Sequence, residues 1–334
     1  MIEVSHLTKR YGAHTAVADL SFTVESGQIY GLLGPNGAGK STTMNIITGC
    51  LAASEGSVRI GGFDIFEQPR EAKRLIGYLP EQPPVYLDMT PMEYLLFVGR
   101  AKGVKKGELM AQVQSAMEVT QIAEMSTRLI RNLSKGYRQR VGIAQALLGQ
   151  PDVIILDEPT VGLDPLQIIE IRDLIRELGK SHTVILSSHI LSEVRAICHK
   201  VLIIAKGKLV ACDTPEALEK LFATGATLSM TVKGGPAAIE GVLAPLGLKS
   251  FSMSDGSDGL STVHMEALEG TADALAERIF FAFAEAGLPI LRMQSAQPSL
   301  EDVFIELTSN GPVESAKPET PEPEETPEKE GDAQ

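Results

Sequence analysis

Apolar positions in this chain follow two rhythms. Gln28-Ile29-Tyr30-Gly31-Leu32-Leu33, Val153-Ile154-Ile155-Leu156 and Thr183-Val184-Ile185-Leu186 are short apolar runs of strand length. Segments such as Ser41 to Thr48 read as helix between them, and Gly49 stands where a left-handed cap would end that helix. This alternation over residues 1–222 predicts an α/β sheet flanked by helices.

Between about residues 83 and 150 the rhythm changes. Pro83-Pro84 interrupts the backbone, and Met92 to Val98 and Met110 to Met125 read as helices with no strand between them, which predicts an inserted helical lobe. Over residues 226–308 the alternation restarts. Strands are expected at Thr227–Val232, Ser261–Met265 and Pro289–Met293, with helical runs at Pro236–Leu246 and Ala272–Ala286. That order predicts a small α+β domain of the ferredoxin-like, split βαβ kind. It has no cluster of catalytic type, so an accessory role in regulation or interaction is expected. The run Pro298 to Leu307 spaces apolar residues at 300, 303, 304 and 307 and predicts a packing helix.

Composition limits the functional classes. A chain of 334 residues suggests two domains. Of its net charge of −13, a large share sits in residues 311–334, which hold eight acidic and two basic side chains. That Pro/Glu/Thr-rich tail is too poor in apolar surface to offset the entropy of ordering, and disorder is expected there. The remainder is mildly acidic and has no basic footprint, so no nucleic-acid partner is expected. Cys50, Cys198 and Cys212 show no metal-ligand spacing and read as reduced thiols. The N-terminus reads without a basic-then-apolar leader, and no window of about 18 apolar residues occurs, so a membrane role would come through a partner.

The chemistry is concentrated at two places. Gly34-Pro35-Asn36-Gly37-Ala38-Gly39-Lys40-Ser41-Thr42 lies between a strand and a helix, with the glycines placed to turn N–H groups onto phosphate. Lys40 is positioned for the β and γ phosphates of ATP, and Ser41 for Mg²⁺. The apolar run 153–156 ends in Asp157-Glu158, at the strand edge where α/β folds bind ligands. Asp157 suits Mg²⁺, and Glu158 suits the task of orienting and deprotonating an attacking water. Two acids capping the next helix is the competing explanation, and it leaves the phosphate loop unexplained.

With these motifs the chain resembles the nucleotide-binding subunit of an ATP-binding-cassette (ABC) transporter over residues 1 to about 220. In that family a second subunit lends a serine-and-glycine signature across a head-to-tail dimer, and the matching stretch is Leu133-Ser134-Lys135-Gly136-Tyr137. Ser134 is also a good N-cap for a helix whose positive end would face the γ-phosphate on the other chain. Lys135 and Tyr137 depart from the family's usual glycine and glutamine and resemble a subgroup of bacterial exporters, while Ser134 and Gly136 are kept.

The resemblance further implies that Tyr11 stacks on adenine and that Gln82 touches Mg²⁺ and water. It also implies that Asp164 lies in the loop passing between subunits and that His189 holds the γ-phosphate. A core tyrosine and a plain helix cap are the competing readings of Tyr11 and Asp164. The expected assembly is a pair of ATP-binding subunits on a separate transmembrane permease, at the cytoplasmic face of the membrane. The C-terminal unit resembles the appendage of exporter motors, including multidrug and gliding-motility systems. The alternative is a non-transport ABC-type ATPase of DNA repair or translation, whose long coiled coils or paired cassettes this chain lacks.

Overall fold

The computed structural model describes residues 1–222, 227–255, 259–267, 272–295 and 300–310. The chain divides into two compact units, one of Met1–Pro215 with Phe304–Gln334, the other of Glu216–Val303. The acidic tail expected to be disordered lies outside the described residues.

The first unit contains two sheets. One is antiparallel, in the order β2-β1-β4-β5, from β1 (Ile2–Tyr11), β2 (His14–Val24), β4 (Glu55–Ile60) and β5 (Phe63–Asp64). The α/β alternation did not anticipate this sheet. Only one of its faces joins the core, so its apolar residues are interleaved with exposed ones.

The other sheet has the order β10-β9-β3-β8-β7-β6. Its strands are β3 (Ile29–Leu33), β6 (Ile76–Leu79), β7 (Val153–Asp157), β8 (Thr183–Ser187), β9 (Lys200–Ala205) and β10 (Lys208–Asp213). All pairs are parallel except β9 with β10. Every residue of β3, β7 and β8 is buried, as their continuous apolar runs demand. Ser187 sits opposite both Leu32 and Asp157, so the C-terminal ends of these three strands emerge side by side. One core joins the two sheets and takes in Ile2, Leu20, Tyr30, Met44 and Ile155. Burying an aliphatic side chain such as Ile2 or Leu20 contributes roughly 1.5–3 kcal/mol.

The helices of this unit are α1 (Lys40–Ile47), α2 (Pro69–Arg74), α3 (Pro91–Ala101), α4 (Lys106–Val119), α5 (Lys135–Leu147), α6 (Pro165–Leu178) and α7 (Leu191–Ile197). α8 (Pro215–Phe222) follows at the division between units. Gly49 takes φ 67 and ends α1 as expected. The lobe is all-helical, with Leu95, Val113, Ile122, Val141 and Leu148 in its own core.

Within the lobe, α3 opens on a capping box between Thr90 and Glu93. The helix expected over 110–125 instead runs 106–119. It ends where Gln121 adopts φ 57, and Ala123–Met125 form a separate 3-10 turn.

The second unit has β11 (Thr227–Lys233), α9 (Pro236–Leu243), β12 (Leu248–Asp255), β13 (Leu260–Ala267), α10 (Ala272–Glu285) and β14 (Ile290–Ser295). Its antiparallel order β12-β13-β11-β14 is the ferredoxin-like arrangement. Ile239, Leu243, Ile279 and Phe283 of the helices share a core with Met230 and Val263 of the sheet. The strand β12 was missing from the sequence reading. α11 (Leu300–Asn310) closes the described chain and spans the division between units.

Candidate nucleotide site

The loop from β3 to α1 is shaped by close backbone approach. Gly39 is the N-cap of α1 with φ 106, and a Cβ there would stand 2.6 Å from the Ala16 carbonyl oxygen, so glycine is required. No side chain caps α1, which leaves its first-turn N–H groups to an anion. The Lys40 ammonium donates to the Gly34 carbonyl at 2.6 Å, folded onto its own loop. Burial lowers the Lys40 pKa, against Glu158 and Asp157, whose charges favour the ammonium. A phosphate would give that ammonium charged acceptors in place of a carbonyl.

The acids are set by β7 and β8. Asp157 is the last residue of β7 and is buried, and its Oδ1 accepts from the Ser187 hydroxyl at 2.5 Å. The same hydroxyl accepts from the Glu158 N–H at 2.9 Å. Burial raises the Asp157 pKa, the Ser187 hydrogen bond opposes this, Glu158 and Glu81 raise it further, and Lys40 lowers it.

The sequence reading placed both acids on one extended strand. Instead Glu158 leaves it with φ 48, a left-handed conformation that costs a non-glycine residue about 1–2 kcal/mol. Pro159 disfavours right-handed helical backbone before it but would accept an extended Glu158, so it does not account for the turn; the Ser187 hydroxyl holds the Glu158 N–H within it. The turn brings Glu158 Oε2 to 2.8 Å from His189 Nδ1.

An open cavity of about 730 Å³ gathers these groups. Tyr11, Gly34, Pro35, Asn36, Gly37, Gly39, Lys40, Ser41, Thr42, Glu158 and His189 line it. Ala38 does not; it is buried, and its N–H donates to the Pro35 carbonyl. Tyr11 is half exposed at the end of β1 with the Lys9 ammonium 5.2 Å from its ring centroid, which argues against the core reading. Gln82 is exposed and absent from the lining, where its neighbour Glu81 stands.

Ser134, Gly136 and Asp164 do not line the cavity either. Ser134 caps α5 by accepting from Tyr137 N–H, and Asp164 caps α6 by accepting from Gln167 N–H at 3.0 Å. A Cβ at Gly136 would meet the end of the Gln167 side chain at 2.7 Å, a contact that a shift of that flexible side chain would relieve.

The sequence reading missed His14, Ala16 and Val161 in the lining, and the double role of Ser187. Ser187 carried a visible signal, a hydroxyl at the end of an apolar strand.

Mg²⁺ fits this donor set. Among the described residues no cluster of three or more metal-ligating side chains forms a preformed cage. The hydroxyl of Ser41 and the carboxylate of Asp157 are hard oxygen donors of the kind that hold Mg²⁺ together with substrate phosphates. When bound, the ion would neutralise phosphate charge and ease the crowding of Glu81, Asp157 and Glu158.

A glycine loop opening a helix beside paired strand-end carboxylates defines a P-loop ATPase. Residues 17–161 match the ABC transporter family. The bacitracin transport ATP-binding protein BcrA of Bacillus licheniformis is 33% identical over 94% of this chain and 99% of its own length. For the linearmycin resistance ATP-binding protein LnrL of Bacillus subtilis the figures are 31%, 92% and 98%. A solved ATP-binding subunit of an ABC transporter aligns with TM-score 0.61 and 31% identity over 67% of this chain and 93% of that one. The chain belongs to the ATP-binding proteins of ABC transporters.

It is therefore an ATPase coupled to transport, and the DNA-repair alternative is set aside. ABC ATP-binding proteins work as dimers with a separate membrane permease. No helix of the described residues is long and apolar enough to cross a membrane.

Proposed function

We propose that this chain is the motor of an exporter and works as a head-to-tail pair with ATP between the copies. The observation that carries this reading is the division of the motif residues. The phosphate loop, Glu158 and His189 share one cavity, while Ser134 and Gly136 open a different helix and stay out of it.

In the pair, Lys40, Ser41 and Thr42 of one copy hold the phosphates that Ser134 and Gly136 of the other complete, with Asp164 passing between the copies. Tyr11 stacks on adenine, Ser41, Gln82 and Asp157 hold Mg²⁺, Glu158 activates water and His189 holds the γ-phosphate. Relatives named for bacitracin transport and linearmycin resistance support export. Binding to a separate permease would hold the motor at the cytoplasmic face of the membrane. Nucleic acid has no part in this reading.

Glu158→Gln tests the pair. A positioned general base is worth roughly 10²- to 10⁴-fold in rate, so turnover should fall by that factor while ATP holds the variant as a dimer in size-exclusion chromatography. A variant that stays monomeric with ATP, beside a wild type that hydrolyses as a monomer, would contradict the proposal. Co-purification of a permease from detergent-solubilised membranes tests the transport half.

A further inference from the structure

One buried acid beside the site has no part in the scheme above. Glu193, in the first turn of α7, is 4% exposed. Its Oε2 accepts from Thr160 Oγ1 at 2.7 Å and lies 3.4 Å from the Ser188 hydroxyl, a longer donor. Its Oε1 is buried without a partner among the described residues. Thr160 and Ser188 are themselves 3% and 1% exposed. Burying a carboxyl group with one oxygen unused is costly, and an aliphatic side chain would fill the space without that cost.

The placement supplies a reason. Thr160 follows Glu158 by two residues in the loop after β7, and Ser188 immediately precedes His189 in the loop after β8. The Ser188 hydroxyl also accepts from the Ile190 N–H at 3.0 Å, fixing the backbone around His189. Glu193 therefore bridges, through Thr160 and Ser188, the two loops whose side chains Glu158 and His189 meet at 2.8 Å.

We propose that Glu193 is a positioning residue for hydrolysis, tying the Glu158 loop to the His189 loop through Thr160 and Ser188. The proposal rests on the hydrolytic reading of Glu158 and His189. It acts on the geometry of the reacting groups and not on the phosphate cradle, so it separates turnover from binding. A misplacement of about 1 Å at a reacting group can cost up to about 100-fold in rate.

The test compares Thr160→Val, Glu193→Leu and Glu193→Gln with wild type. It measures kcat, the dissociation constant of a fluorescent ATP analogue, and amide hydrogen exchange over residues 187–191. Thr160→Val and Glu193→Leu should lower kcat about 10- to 100-fold, leave nucleotide affinity within about twofold, and speed exchange at Ser188–Ile190. Glu193→Gln keeps an acceptor for Thr160 and should hold kcat within about threefold of wild type on the same reasoning.

Thr160→Val is the decisive variant, because it removes only the bridging hydroxyl. Wild-type kcat and exchange in Thr160→Val, or a parallel loss of kcat and nucleotide affinity, would overturn the proposal. Failure of the wild type to hydrolyse ATP would instead count against the assigned roles of Glu158 and His189, while the exchange measurement would still report the bridge.

Discussion

Ser187→Ala removes one oxygen and disturbs both acids. The hydroxyl is fully buried, donates to Asp157 Oδ1 at 2.5 Å and accepts from the Glu158 N–H at 2.9 Å. A hydrogen bond to a charged group is worth about 1.5–3 kcal/mol and a neutral one about 0.5–1.5 kcal/mol, so the substitution should destabilise the ends of β7 and β8 by about 2–4 kcal/mol.

The effect depends on pH. Burial holds the Asp157 carboxyl above its ordinary value of 3.8, and the Ser187 hydrogen bond is the largest influence opposing that rise. Without it the native pKa climbs further. For a carboxyl whose native pKa exceeds its unfolded one, the native state keeps a proton that the unfolded chain has released. The stability from that proton is fully present below the unfolded value and is lost as pH rises through the native value. The loss caused by Ser187→Ala is therefore larger at pH 7.5 than at pH 4.5.

Amide hydrogen exchange across β7 and β8, corrected for the intrinsic pH dependence of exchange, reads the local free energies at both values. A penalty below about 0.5 kcal/mol, or one of equal size at the two pH values, would refute the reasoning.

Gly39→Ala forces a Cβ against the Ala16 carbonyl oxygen at φ 106, and should cost about 2 kcal/mol or more together with most of the nucleotide affinity. Thermal unfolding and nucleotide titration check this, and a variant with wild-type values in both would show that the loop relaxes freely. Lys102→Met withdraws an ammonium that donates to the carbonyls of Gln145, Ala146 and Leu148 at 2.8, 3.2 and 3.0 Å. Exchange at the C-terminal end of α5 should quicken, with a loss of about 1–3 kcal/mol, and unchanged protection there would count against the contact.

What could be read from the sequence depended on how each element buries its side chains. β3, β7 and β8 are covered on both faces and appear as unbroken apolar runs, so they and the loops they aim were visible at once. β12 was hidden because Leu248, Phe251 and Met253 are interleaved with Lys249, Ser250, Ser252 and Ser254, and its pairing with β13 shifts register between Leu248 and Ser250. The end of α4 was overrun because Ile122 and Met125 continue the apolar spacing, although Gln121 has already turned left-handed.

At the site, motif spacing gave the cradle and the acids. Ser187 and Glu193 escaped because their contacts join segments about 30 residues apart, which a linear reading does not bring together. The cap of α6 by Asp164 shows the reverse case, in which a family landmark also has a sufficient local reason.

The left-handed backbone at Glu158 sets two requirements against each other at a single position. Glycine or asparagine there would relax the turn and make the protein harder to unfold. With the water-activating role proposed for Glu158, a library selected only for heat resistance should therefore drift away from glutamate at 158 and accumulate sturdy, inactive motors. A library selected for turnover should keep glutamate and recover the lost stability at positions remote from the cavity.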